Sequence, residues 1–280
     1  FKSDRYGFNN PDKEWDNGNI EYILVGDSFT MGQCVNRPND IASVLRKLSK
    51  SSVLNLGYGG NGPLLQYATL REYLKPGTKY VLWLFFEGND IIDLNNELSS
   101  KILNRYLKDK NFSQNLKSNQ SNLNKLTNYR IQKSLITLSS DRLKDDLKEK
   151  LINLIVFLKI HKTRDILHRL LPEKYGTVVH PEFKEVLKKT KILSEENGSE
   201  LYFVYIPDYY SSKNTFYKAS TYSFIKNLLI ELEIPFIDIP KKVLAKEENV
   251  FDLYPFGDDG HFNVLGYRKV AEEIYKSTSN

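Results

Sequence analysis

The sequence predicts an α/β fold in which a central parallel sheet is covered by helices on both faces, in one domain interrupted by a helical insertion. Three observations carry this. Short apolar runs that stop at Gly or Asn alternate with segments of helical spacing, the pattern of a parallel sheet. The run Tyr80 to Phe86 (YVLWLFF) is apolar at every position, as a strand buried on both faces requires. The chain of 280 residues, 40% hydrophobic and 27% charged, has the length and composition of a globular protein with a sizeable core.

Residues 1–19 are polar and irregular and read as an arm lying on the domain. Ile20 to Val25 (IEYILV) is a first strand that stops at Gly26. Ile41 to Leu48 has helical spacing, and Val53 to Leu56 is a second strand running into a glycine-rich turn. Pro63 suits the first turn of a helix that continues from Leu64 to Leu74. Tyr80 to Phe86 is the third strand. From about Asp90 to Tyr175 the alternation stops, and a Lys-, Asn- and Leu-rich stretch with helical periodicity, notably Asp145 to Leu171, takes over. This is read as an insertion over 95–178, because the alternation resumes afterwards. Pro181 to Glu196 is a helix closed by Asn197-Gly198. Leu201 to Ile206 is a strand, Tyr222 to Glu233 a helix, Phe236 to Ile239 a short strand and Val264 to Tyr275 an amphipathic helix.

Composition excludes several classes. The longest apolar run is far too short for a membrane span. A single cysteine, Cys34, excludes an internal disulfide and a cysteine-based zinc site. No cofactor, metal or nucleic-acid partner is expected. The net charge of +5 is uneven: residues 101–171 hold 16 Lys/Arg against 6 Asp/Glu, a net of about +10, and the remainder is about −5. A basic segment of this kind is either a solvated helical face or a surface for an anionic polysaccharide or membrane. The chain begins at Phe1, which leaves room for a signal or anchor ahead of it. The expected location is outside the cytoplasm.

Open α/β sheets build their sites at the carboxyl ends of strands. The first strand ends in Gly26-Asp27-Ser28, where a serine before a helix start meets free backbone N–H groups. The second ends in Asn55-Leu56-Gly57-Tyr58-Gly59-Gly60-Asn61-Gly62, and the third in Glu87-Gly88-Asn89-Asp90. Near the carboxyl terminus lies Asp258-Asp259-Gly260-His261, directly before the last helix. A serine hydroxyl needs a base to act as a nucleophile, and an imidazole needs an acidic partner to fix its tautomer. Asp258, three residues before His261, has the spacing for that role, with Asp259 as its rival. His161, His168 and His180 lack such an arrangement.

These four segments together resemble the SGNH (GDSL-like) hydrolase and acyltransferase family. Gly26-Asp27-Ser28 looks like block I, Gly60 like the block II glycine, Asn89 like the block III asparagine, and Asp258 to His261 like the D-x-x-H of block V, followed by Asn263 and Gly266. They occur in the family's order across residues 20–277 and leave only the insertion uncovered. The resemblance implies an SGNH-hydrolase-like, flavodoxin-like three-layer sandwich. It implies Ser28 as nucleophile, His261 as base and then acid, and Asp258 as its orienter. It also implies an oxyanion hole of the Ser28 amide, the Gly60 amide and the Asn89 side chain. Block III is usually G-x-N-D, whereas here Glu87 takes the glycine's place, setting a carboxylate near the site. Asp27, Glu87 and Asn61 are the expected substrate contacts.

Two classes compete. Gly57 to Gly62 also fits G-x-G-x-x-G, the fingerprint of an NAD-type oxidoreductase, but it follows the second strand, runs into Pro63 and lacks a well-placed acidic residue some twenty positions on. A catalytically silent binding module would not require the four polar groups retained here. No G-x-S-x-G surrounds Ser28, which disfavours an α/β-hydrolase. The expected activity is hydrolysis of an acyl ester, on an acylated carbohydrate or another cell-envelope ester. The alternative is O-acyl transfer to or from a polysaccharide through the same acyl-enzyme. Tyr58, Trp83, Tyr209, Tyr210 and Tyr254 are the aromatic residues near enough in sequence to stack on a sugar.

Overall fold

The computed structural model describes residues 2–135, 179–212, 220–258 and 260–279. Five strands, β1 (Ile20–Gly26), β2 (Ser52–Asn55), β3 (Tyr80–Phe86), β4 (Glu200–Ile206) and β5 (Phe236–Asp238), form one parallel sheet in the order β2-β1-β3-β4-β5. Every neighbouring pair is parallel, and Leu24 of β1 lies between Asn55 of β2 and Leu82 of β3. The helices that matter for the site are α1 (Ser28–Met31), α2 (Ile41–Ser49), α3 (Pro63–Tyr73), α4 (Asp90–Glu97), α5 (Lys101–Lys108) and α6 (Glu182–Glu196). They are followed by α7 (Tyr209–Ser212), α8 (Ser220–Glu231), α9 (Ile239–Lys242) and α10 (Val264–Thr278).

The uniformly apolar strands follow from burial on both faces. Tyr22, Leu24, Leu82 and Leu84 pack with Ile41, Ala42 and Leu45 of α2 and Tyr267, Val270 and Ile274 of α10. The alternate positions, Ile23, Val25, Val81, Trp83 and Phe85, are equally buried. There Phe85 meets Phe183 of α6 at a centroid distance of 5.7 Å. Side chains alternate along a strand, so each strand must be apolar at both parities.

The arm is more ordered than its polarity suggests. Asp12–Asp16 is a 3₁₀ turn, and Phe8 and Trp15 are buried. Asn10 explains why the arm stays down. Its side chain accepts the Asn55 N–H at 2.8 Å and donates to the Asn55 C=O at 2.9 Å, pairing with the edge strand β2 as another strand would. Two strand ends differ from expectation. β2 stops at Asn55, although the Leu56 N–H still reaches the Leu24 C=O at 2.8 Å. Ile239 opens α9 and does not extend β5, because the Asp238 carboxylate caps that helix through the Lys241 N–H.

Of the expected insertion over 95–178, residues 95–114 pack with the sheet-bearing unit. Arg71 of α3 donates to the carbonyls of Tyr106, Lys110 and Phe112 at 2.6–2.7 Å. Residues 115–176 form a second compact unit, in which 120–135 are helical. The periodic stretch Asp145 to Leu171, with His161 and His168, lies outside the described residues. Among the described residues no helix is long and apolar enough to cross a membrane.

Candidate active site

The strand order reverses about β1: the chain passes from β1 to β2 on one side, then crosses to β3 on the other. The carboxyl ends of these three neighbouring strands therefore share one edge, and a crevice at such a reversal is where open α/β sheets hold ligands. Ser28 follows β1, Gly60 follows β2 and Asn89 follows β3.

Ser28 is the first residue of α1. Asp27 caps that turn, its carboxylate accepting the Phe29 N–H at 2.9 Å. The Ser28 hydroxyl lies 2.7 Å from His261 Nε2 and 3.2 Å from an Asp27 oxygen. It has one proton to give, and the shorter contact is to the imidazole. His261 reaches it from the loop before α10. Asn263 caps α10 through the Leu265 and Gly266 N–H groups and donates to the Asp252 C=O at 2.8 Å, which fixes that loop at its far end. Beneath the imidazole lies the ring of Phe29, at 4.6 Å, itself wedged among Phe86 and Phe262 at 4.4 and 5.2 Å. Phe29 is the residue next to Ser28, so one short turn carries both the serine and the ring that lies beneath His261. No motif marks it.

Asn89 precedes α4 but does not cap it with its side chain. The Asn89 Oδ1 is buried without a hydrogen-bond partner, and among the described residues nothing engages the side chain. A buried orphan acceptor costs about 1–3 kcal/mol. Gly60 is exposed at the tip of its loop with φ +80°, a left-handed conformation that favours glycine. Its amide has no partner among the described residues. Gly59 sits close to Ser28: a Cβ there would lie 3.7 Å from that of Ser28. Asp258 is exposed at the start of the histidine's loop, and its rival Asp259 lies outside the described residues.

Behind this edge lies a group of carboxylates. Asp27 and Asp90 are 1% and 0% exposed. Burial pushes the Asp27 carboxyl up to about 6, against the opposing pull of the Phe29 N–H and the Ser28 hydroxyl. Burial, then the neighbouring Asp27, holds Asp90 well above the usual carboxylate range. Asp93 is raised by burial too, and Glu97 is pushed up to about 7 by burial, against three backbone N–H groups that lower it. Among the described residues no cluster of three His, Cys, Asp or Glu side chains is arranged to hold a metal.

The expected substrate contacts change character. Asp27 is buried, its oxygens turned to the Phe29 amide and the Ser28 hydroxyl, so it supports the turn and presents no face to solvent. The Glu87 carboxylate accepts the Asp208 N–H at 3.2 Å, linking the ends of β3 and β4. Asn61 is 9% exposed, and its carbonyl accepts from the Gln66 side chain at 2.7 Å. Trp83, Tyr209 and Tyr254 are core residues at 0%, 8% and 2% exposure and offer no stacking face, whereas Tyr58 is 52% exposed.

The dinucleotide alternative fails on geometry. A phosphate would need the amino terminus of α3, but the Glu97 carboxylate already takes the Gly62, Leu64 and Leu65 N–H groups there. Gly57 is small because Thr30 and Met31 press on it, at 2.5–2.6 Å from where a Cβ would be.

No family model matches the chain, and no curated protein matches it. Solved structures do. A Bacillus subtilis protein superposes with a TM-score of 0.51 and 15% identity, over 93% of this chain and 56% of that one. A member of the lipolytic G-D-S-L family from Veillonella parvula gives 0.49 and 13%, over 93% and 99%. A variant of an acetyl xylan esterase from Geobacillus stearothermophilus gives 0.45 and 13%, over 93% and 95%. At these identities the likeness is one of fold. With five parallel strands in the order β2-β1-β3-β4-β5 and helices on both faces, the chain shares the α/β fold of the Bacillus subtilis protein.

Proposed function

We propose that the chain is a serine-dependent acyl-ester hydrolase that works through an acyl-enzyme. The observation that carries this reading is the 2.7 Å contact between Ser28 Oγ and His261 Nε2, made between residues 233 positions apart. In this reading the serine oxygen attacks the ester carbonyl while His261 takes its proton. The oxyanion that forms is met by the amides of Ser28 and Gly60 and by the Asn89 side chain. Collapse releases the alcohol, which receives the proton from His261 and leaves the acyl group on Ser28. Water, deprotonated by the same imidazole, then releases the acid. Asp258 holds the imidazole's other nitrogen.

The substrate class we assign is an acylated carbohydrate of the cell envelope, outside the cytoplasm. Its support is the exposed Tyr58 beside the nucleophile and the basic character of residues 101–171, which suits an anionic polymer. The test is intact-mass detection of an acyl adduct after mixing with acetyl esters and acetylated oligosaccharides, in wild type and Ser28→Ala. An adduct in wild type alone supports the reading, and equal release of acid by both proteins ends it. Acetyl groups recovered on an added sugar instead of as acetate would make the acceptor a hydroxyl and the enzyme a transferase.

A further inference from the structure

The loop bearing Gly60 is held at both ends. At its start, the Asn55 side chain accepts the Gly57 N–H at 2.8 Å and donates to the Thr30 C=O at 2.6 Å, which ties it to α1. At its end, a single side chain from another element does most of the work. Glu97 Oε1 accepts the Gly62 N–H at 2.7 Å, and Oε2 accepts the Leu64 and Leu65 N–H groups at 3.0 and 3.2 Å. Pro63 has no N–H, and the next amide, Gln66, is already bonded to the Gly62 carbonyl at 2.9 Å. One carboxylate thus satisfies every free donor at the start of α3.

Glu97 is also the last residue of α4, the helix that begins directly after Asn89. The two helices meet closely here. A Cβ on Gly62 would fall 2.7 Å from the Asp93 Cβ and 2.8 Å from a Glu97 oxygen, so only glycine allows the approach. The loop of one oxyanion donor is therefore joined to the helix of the other through this carboxylate.

We infer that Glu97 is a positioning residue that sets the spacing between the Gly60 amide and the Asn89 side chain. The inference rests on the acyl-transfer reading above. The clamp is complete only when the carboxylate is ionised, since a protonated carboxyl gives up an acceptor to its own proton. Burial pushes Glu97 up to about 7, with Asp93 of α4 adding to it, so the clamp loosens within the range where an esterase works. From α3 only backbone N–H groups face it. From α4 itself Asp93 faces it, and the same Asp93 also raises Asp27 and Asp90. Displacing a reacting group by about 1 Å costs up to ~10²-fold in rate, so a slack loop would show in kcat.

The experiment compares p-nitrophenyl acetate turnover between pH 5.5 and 8.5 in wild type, Glu97→Gln, Glu97→Ala and Ser28→Ala, with circular dichroism to confirm folding. Glu97→Ala is expected to lower kcat by about 10- to 10²-fold at pH 8.5, with KM within about twofold. Glu97→Gln keeps the side chain's shape and one carbonyl acceptor but cannot titrate. The ratio of wild-type to Glu97→Gln kcat should be about 10 at pH 8.5 and fall towards 1 at pH 5.5, a ratio from which the shared titration of His261 cancels. Should Glu97→Ala fail to fold, the Gln ratio alone decides. A ratio that does not move with pH, or a change confined to KM, overturns the inference while an inactive Ser28→Ala leaves the acyl-transfer reading standing. Wild type without turnover, or Ser28→Ala with full turnover, overturns the reading and the clamp together.

Discussion

The two sides of the catalytic edge are built on opposite rules. In front, Ser28 at the start of α1 and His261 in the loop before α10 are half-buried, come from distant parts of the chain and bond to each other. Behind, Asp27, Asp90, Asp93 and Glu97 come from two short stretches, and the bonds made by Asp27, Asp90 and Glu97 go mainly to backbone N–H groups. In the proposed reading the front uses side chains for chemistry. The back uses carboxylates as fixed acceptors that hold the backbone in place, and burial keeps their protons bound to unusually high pH. Substitutions in front should therefore remove activity and leave stability, whereas substitutions behind should change how activity and stability depend on pH.

The sharpest way to break that contrast is at the nucleophile. Ser28→Ala and His261→Ala are each expected to lower kcat for a short-chain aryl ester by about 10⁴-fold or more, with the circular dichroism spectrum unchanged. A Ser28→Ala protein that turns over at the wild-type rate would place the chemistry elsewhere. Next comes Asn89→Ala. One lost oxyanion donor costs about 10²- to 10³-fold in kcat with a smaller change in KM. Its orphaned Oδ1 adds a second expectation: stability should not fall, because the alanine leaves no bonded partner behind. An Asn89→Ala protein that is destabilised but fully active would make the residue a structural one.

The back should respond in stability. Asp27 carries a folded-state pKa of about 6, above the ordinary carboxylate value near 4. The folded protein therefore holds a proton that the unfolded chain releases, and stability falls as pH rises from about 4 to about 6, then levels off. Asp27→Asn keeps an N-cap acceptor for the Phe29 N–H and removes the buried charge. Urea unfolding should show it more stable than wild type by on the order of 2 kcal/mol at pH 8, with the difference vanishing near pH 4. A difference of the same size at both pH values would locate the effect in packing, not in charge.

The contact of Ser28 with His261 joins two segments, GDS and D-x-x-H, that the sequence singles out by their places after a strand and before a helix. Much of what stands behind them follows no such rule. Phe29 and Glu97 follow no pattern. Phe29 is one apolar residue among many until the fold sets it under an imidazole. Glu97 lies 35 residues from Gly62 and reads as an ordinary polar position on a helix end. Asn10, which pairs the arm with β2, follows no pattern either: its partner Asn55 is 45 residues away. The helix of residues 101–108 falls in the stretch where the strand–helix alternation stops, and its Lys and Arg flank a buried face of Leu103, Tyr106 and Leu107. Trp83, one of the aromatic residues that could stack on a sugar or simply pack, does the latter: in the middle of a strand buried on both faces it has no exposed side to offer.

The smallest effect expected concerns specificity. Tyr58 lies in the loop between β2 and α3, its N–H bonded to the Gly26 C=O at 3.3 Å, and its ring is 52% exposed next to the glycine that abuts Ser28. An exposed aromatic face in that place lies bare to solvent unless a substrate covers it, and stacking against a sugar ring would return part of that cost. Tyr58→Ala should raise KM for an acetylated oligosaccharide by about 3- to 30-fold, the equivalent of one aromatic contact. The kcat should hold, since no hydrogen bond or ring contact joins Tyr58 to Ser28, His261 or Asn89 among the described residues. Turnover of p-nitrophenyl acetate, which has no sugar to stack, should stay within about twofold of wild type. Tyr58→Phe separates ring from hydroxyl: it should match wild type if stacking is the role, and match alanine if the phenol donates to the substrate. Equal losses on both substrates would show that Tyr58 shapes the Gly60 loop and does not touch the sugar, and would move it from the front of the site to the back.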